Sequence, residues 1–142
     1  MSKFILDCSI AAAWCFEDEA SEATDDLLER VRDYGAVVPS LWLLEITNIL
    51  LQAERRGRIA AGDVTTRLEL LRILPVSVEH STQAEVFNSV VTLARVEGLT
   101  SYDAAYLELA IRQGLPLATL DRKLAQAAEN SNVEVLPKFP GR

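Results

Sequence analysis

Asp7, Glu45, Asp103 and Asp121 are the residues of this chain whose type and placement point to chemistry. Two carboxylates about 4 Å apart repel by roughly 4 kcal/mol at an effective dielectric near 20. Four acids drawn to one place therefore require either protonation or a hard cation among them. Mg²⁺ and Mn²⁺ prefer oxygen ligands and take a few carboxylates together with substrate phosphate. An ion held in this way polarises a phosphoryl oxygen and activates water for in-line attack.

Each acid also has a plainer role. Asp7 and Asp121 fit helix N-caps after a strand. Thr100-x-x-Asp103 fits a capping box with Asp in place of Glu. Glu45 shares a polar stripe with Asn48 and Gln52 beside an apolar helix face. Ser9 follows Asp7 by two residues and Thr119 precedes Asp121 by two. Both hydroxyls suit either capping or the fixing of carboxylate rotamers. The ordered set, rather than any one acid, carries the expectation of a metal site.

Those residues need elements to position them. Phe4-Ile5-Leu6 reads as a buried strand ending at Asp7. Helix is expected from Ser9 to Phe16 and from Ala20 to Tyr34, interrupted at Glu17-Asp18-Glu19 and stopped by Gly35. Ala36-Val37-Val38 reads as a second strand closed by Pro39. A helix from Ser40 to Arg56 follows, with Trp42, Leu43, Ile46, Ile49, Leu50 and Ala53 on one face. Next come a helix over residues 60–73, a strand Val76-Ser77-Val78, and helices over 82–97 and 101–112. Residues 116–120 read as a fourth strand, 121–129 as a helix, and Val133-Glu134-Val135 as a weak fifth strand. This alternation predicts a three-layer α/β/α sandwich with a mainly parallel sheet of about five strands. Right-handed crossovers then align the strand C-termini along one edge, where open α/β sheets bind ligands.

The bulk properties agree. A chain of 142 residues, 49% hydrophobic and 25% charged, suits one domain spanning 1–142. A net charge of −7 argues against a general nucleic-acid coat protein, though not against an enzyme that meets phosphate through metal ions. Cys8 and Cys15 lie two helical turns apart, about 10 Å, too far for a disulfide within one helix. The expectation is free thiols in a reducing, cytoplasmic setting, with no membrane span and no signal peptide. His80, the single histidine, has no zinc partners near it, and no glycine-rich phosphate loop is present.

Four segments carry a resemblance: Ile5-Leu6-Asp7-Cys8-Ser9; residues 39–48, from Pro39-Ser40 through Glu45 to Asn48; residues 99–106, around Ser101-Tyr102-Asp103; and Leu117-Ala118-Thr119-Leu120-Asp121. Together they resemble the PIN-domain proteins, particularly the VapC-type toxins of bacterial toxin–antitoxin pairs, over nearly the whole chain. The resemblance implies a PIN fold, an endoribonuclease dependent on Mg²⁺ or Mn²⁺, an antitoxin that blocks the site, and a homodimer. It makes Asp7, Glu45, Asp103 and Asp121 the metal-binding acids, with Ser9 and Thr119 supporting them and Asn48 beside Glu45. Many relatives carry another acid or amide after the fourth acid, where this chain has Arg122 and Lys123, so one ion or two remains open. Arg55, Arg56, Arg58 and Lys123 are candidate RNA contacts, or helix-end and solvated charges. Trp14 and Phe16 suit a groove for a partner helix or the core. A phosphoacceptor receiver domain needs an aspartate ending its third strand, which here ends Val78-Glu79-His80. A catalytically weak binding module and a free-standing RNA-processing nuclease are the competing readings.

Overall fold

Phe4, Ile5 and Leu6 are fully buried, as befits a strand flanked on both sides and covered on both faces. They form β1 (Phe4–Leu6) at the centre of a sheet in a computed structural model that describes residues 2–138. Residues 1 and 139–142 of the expected 1–142 domain lie outside that span. The other strands are β2 (Ala36–Pro39), β3 (Val76–Glu79), β4 (Leu117–Ala118) and β5 (Val135–Leu136). Their order is β3-β2-β1-β4-β5, and every pairing is parallel. The sheet is thus wholly rather than mainly parallel. The chain steps outward from β1 to β3, then returns to the other side of β1 for β4. The reversal makes a crevice at the carboxyl ends of β1 and β4, the place where such sheets bind ligands.

Among the described residues seven α-helices connect the strands: α1 (Cys8–Cys15), α2 (Glu22–Tyr34), α3 (Leu41–Arg55), α4 (Ala61–Arg72), α5 (Val91–Glu97), α6 (Ser101–Gln113) and α7 (Arg122–Asn130). Helices α1 to α4 pack among themselves, as do α5 to α7. Right-handed crossovers place the two groups on opposite faces of the sheet. The acidic Glu17–Glu19 stretch is a single 3-10 turn, and Ser21 starts α2 with a full capping box closed by Thr24.

Several boundaries differ from expectation. The 82–97 helix is not uniform, since Glu85–Val90 is wound as a π-helix that runs into α5. The fourth strand narrows to two residues, although the Thr119 amide still donates to the Leu136 carbonyl at 2.9 Å. The fifth strand falls one to two residues later than its apolar pattern suggests, because Asn132 takes a positive φ and turns the chain first. Leu43, expected on the apolar face of α3, is 47% exposed, while Trp42, Ile46, Leu50 and Ala53 are buried. Only part of that face meets the sheet. One contiguous buried cluster spans both helical layers, from Ile10 and Leu27 to Leu107 and Leu124.

Candidate active site

Asp7 begins where β1 ends, and although it precedes α1 its side chain caps nothing. The carboxylate is buried and its Oδ2 accepts two hydroxyls, from Thr119 at 2.6 Å and from Ser9 at 2.7 Å. Ser9 in turn accepts the Leu120 amide at 2.9 Å, and Thr119 accepts the Asp121 amide at 3.0 Å. This small network crosses from β1 to the end of β4 and fixes both sides of the crevice.

Asp121 does cap. Its Oδ1 accepts the Leu124 amide at 3.0 Å and starts α7, so the plain role and the site role fall on one residue. Asp103 does not close a box. Thr100 Oγ1 accepts the Asp103 amide at 3.1 Å, whereas the Asp103 carboxylate makes no return bond to the Thr100 backbone. That carboxylate sits half-buried on the first turn of α6. Glu45 lies one turn into α3, half-buried, and its Oε1 accepts the Tyr106 hydroxyl at 2.5 Å. Tyr106 is fully buried on α6, so this bond ties the two helical layers together over the edge of the sheet.

The four acids feel one another. Burial holds the Asp7 carboxyl above its usual range, and the charge of Asp121 adds to the rise; the Thr119 and Ser9 hydroxyls and the Cys8 amide oppose it. Burial also raises Glu45, helped by the charges of Asp7 and Asp103, against the Tyr106 hydroxyl and the Cys8 thiol. Asp103 rises through burial and through Asp121 and Asp7, with Lys123 pulling the other way. Three acids therefore resist ionisation, chiefly because burial strips water from their carboxylates and in smaller part because they repel one another. Among the described residues no three carboxylate, thiol or imidazole groups converge on one point as they stand. An all-oxygen, multiply anionic donor set fits a hard divalent cation.

The remaining candidates divide. Ser9 and Thr119 stand in the site. Asn48 is exposed and takes no part in the bonds that hold the acids. Lys123 lies near enough to Asp103 to act on its charge. Arg55 and Arg56 are exposed at the far end of α3, about 15 Å along the helix from Glu45. Arg58 is occupied: it bonds Asp18 at 2.7 Å and Glu19 at 3.0 Å and lies over the Phe16 ring. Trp14 and Phe16 belong to the body of the fold, Trp14 donating to the Thr24 carbonyl at 2.7 Å. Cys8 and Cys15 are free thiols at the two ends of α1, and burial and nearby acids push Cys8 well up. Tyr106 was not singled out from the sequence, because a tyrosine in an apolar helix reads as core. The available signal was its spacing, three residues after Asp103 on the same helical face.

A wholly parallel α/β sheet with four acids placed around its switch point puts the chain among α/β proteins whose ligand-binding edge is acidic. The PIN domain profile matches residues 4–130, and the chain belongs to the PIN-domain family. Ribonuclease VapC3 of Pyrobaculum aerophilum is 32% identical over 124 residues, 87% of this chain and 93% of that protein. The crystal structure of PAE2754, also from Pyrobaculum aerophilum, matches with a TM-score of 0.71 at 23% identity, covering 94% of this chain and 89% of that one. That likeness speaks for the fold. Divalent-metal dependence is the general expectation for nucleases of this family.

Proposed function

We propose that this chain is an endoribonuclease, the toxin of a toxin–antitoxin pair, that hydrolyses RNA phosphodiesters with Mg²⁺ or Mn²⁺. Asp7, Glu45, Asp103 and Asp121 are the residues that hold one or two ions. The observation that carries this reading is Asp7: a buried carboxylate that caps no helix, is braced by two hydroxyls, and feels the charge of Asp121. Two hydroxyls satisfy one oxygen of this buried carboxylate, and no helix end makes use of it. The relationship to a ribonuclease along most of both chains supplies the substrate class.

A divalent ion bound there polarises a phosphoryl oxygen and makes water nucleophilic near neutral pH. The protein's own part is positional. Ser9 and Thr119 hold the Asp7 carboxylate in one rotamer, and Tyr106 does the same for Glu45. Asp121 is fixed by its bond to the Leu124 amide. Lys123 supplies a positive charge beside Asp103 for an incoming phosphate. The cognate partner is a small antitoxin that covers the site, and the toxin acts as a cytoplasmic homodimer. Among the described residues no helix is long and apolar enough to cross a membrane.

The test is cleavage of total RNA with Mg²⁺, Mn²⁺ or chelator in parallel, followed by mapping of the ends. Metal-dependent cuts leaving 5′-phosphate and 3′-hydroxyl are expected, and Asp103→Asn should remove most of the activity. RNA left intact at millimolar metal would support a binding module instead. A neighbouring small reading frame for a DNA-binding antitoxin separates the toxin from a free-standing processing nuclease.

A further inference from the structure

Leu44, Tyr102 and Leu120 are exposed apolar side chains that stand next in sequence to Glu45, Asp103 and Asp121 respectively. Tyr102, the aromatic one, is 63% exposed. Helix geometry sets its direction. Because α6 leads into a parallel strand, its first turn lies at the carboxyl edge of the sheet, with the acids. Asp103 and Tyr106, three residues apart, both turn toward those acids: Asp103 feels the charges of Asp121 and Asp7, and the Tyr106 hydroxyl reaches Glu45. Tyr102 precedes Tyr106 by four residues and so lies on the same stripe, one turn nearer the edge. At about 100° per residue it is rotated roughly 40° from Tyr106, on the side away from Asp103. Helical side chains lean toward the helix start, which carries the ring out over the Glu45 side of the edge. Lys123 stands on the Asp103 side.

An exposed apolar side chain is ordinary by itself. The charge of its surroundings singles this one out. The chain carries a net charge of −7, its sheet edge bears four acids, and Arg55 and Arg56 lie at the far end of α3. An RNA strand crossing that edge meets Lys123 and no basic track, and divalent ions act on phosphates without holding the bases. Stacking on an aromatic ring needs no charge. We propose that Tyr102 binds the substrate directly, stacking on an unpaired RNA base beside the scissile phosphate, so that this site takes single-stranded RNA. The inference rests on the proposed ribonuclease reading. A base inside a duplex has both faces covered, whereas an unpaired one can be splayed onto a ring. Every base has a π-face, so the contact positions the strand without reading its sequence.

The probe is a short single-stranded oligoribonucleotide spanning a cut mapped in total RNA, cleaved at saturating Mn²⁺. Loss of one stacked base typically weakens binding by about 5- to 100-fold. Tyr102→Ala should raise KM by about that factor and leave kcat within about twofold, the pattern of a lost ground-state contact. Tyr102→Phe and Tyr102→Trp keep a ring and should keep KM. Phe87→Ala is the control: Phe87 is 65% exposed, on a segment whose Glu85 bonds Arg112 at the other end of α6, and neither constant should move. Abasic nucleotides placed one at a time around the cut then find the base. One of them should raise the wild-type KM as Tyr102→Ala does, and should add nothing further in Tyr102→Ala. Circular dichroism checks each fold; if Tyr102→Ala does not fold, Tyr102→Leu takes its place. An unchanged KM would overturn the inference and leave the ring to a protein partner. So would Phe and Trp variants as weak as Ala, or abasic and Tyr102→Ala effects that multiply independently, since a merely structural tyrosine has no coupling to one base. Wild-type protein that cuts no RNA would defeat the ribonuclease reading, and this inference with it. Active wild type with a KM indifferent to Tyr102 would defeat the stacking alone.

Discussion

Burial makes an ionised Asp7 costly to the metal-free protein, while the proposed function needs that charge to hold the ion, and the opposition is measurable. Its unfolded carboxyl titrates near 3.8, and burial raises it in the folded state. Stability from such a group is fully present below the unfolded value and is lost as pH rises through the folded value. Glu45 and Asp103 are shifted in the same direction. The metal-free protein should accordingly melt at a higher temperature in mild acid than at neutral pH. Asp7→Asn should flatten that dependence and raise the neutral Tm by a few degrees, since about 1 kcal/mol corresponds to roughly 2–8 °C in domains of this size range. Asparagine keeps an oxygen for Ser9 and Thr119 but removes the charge. Mn²⁺ should stabilise the wild type and leave Asp7→Asn unmoved; equal stabilisation of both would show that the ion binds elsewhere. Asp121 separates its two roles by a pair of variants. Asn is as good an N-cap as Asp, so Asp121→Asn should keep the Tm and lose cleavage. Asp121→Ala should lose both, with about 1 kcal/mol for the missing cap.

At the scale of elements, the position of the site depends on where strands stop, and the sequence shows some stops better than others. Phe4-Ile5-Leu6 before Asp7 is plain, because a short, wholly apolar run fits only a strand buried on both faces. Pro39, Gly98 and Gly114 likewise mark ends that the structure keeps. The order β3-β2-β1-β4-β5 is not readable, since parallel pairing joins segments far apart in sequence and nothing local encodes the neighbour. Hence the alternation of elements predicts a shared edge, but not that Asp7 and Asp121 straddle its switch point. Asp103 is illegible in another way: the Thr100-x-x-Asp103 pattern predicts a box, and only the structure shows the carboxylate left out of it. The Tyr106 hydroxyl on Glu45 joins two helices from opposite layers, a contact that no periodicity within either helix encodes. Gly35 gives a test at this scale. It enters β2 with φ +85°, and a Cβ there would stand 3.0 Å from the Pro75 carbonyl oxygen, on the chain entering β3. Gly35→Ala should cost about 1–3 kcal/mol in thermal unfolding. Because the turn lies at the end of β2 remote from Glu45, Mn²⁺ affinity at low temperature should stay unchanged.

Across the whole molecule, a net charge of −7 must be reconciled with a polyanionic substrate. A broad basic face is one solution, and the Arg55, Arg56 and Arg58 cluster would be its natural seed. The geometry disfavours it. Arg58 is tied to Asp18 and Glu19, and Arg55 and Arg56 close a helix that starts at the acidic edge and runs away from it. Lys123 acts on Asp103 from the start of α7, beside the crevice. Most of the positive charge that meets phosphate must then come with the divalent ions, and side-chain cations add little. Counterion release makes this quantitative. For single-stranded nucleic acid the slope of log affinity against log salt is about −0.7 per phosphate neutralised by a side chain. At fixed saturating Mn²⁺, the monovalent-salt slope of 1/KM for RNA should be shallow, about −1 to −2. Lys123→Ala should raise KM several-fold and make that slope less steep by about 0.7. The double variant Arg55→Ala with Arg56→Ala should leave both KM and slope where they were. A steep slope abolished by the arginine pair would instead place RNA along the length of α3, and the acidic edge would then be only one end of the binding track.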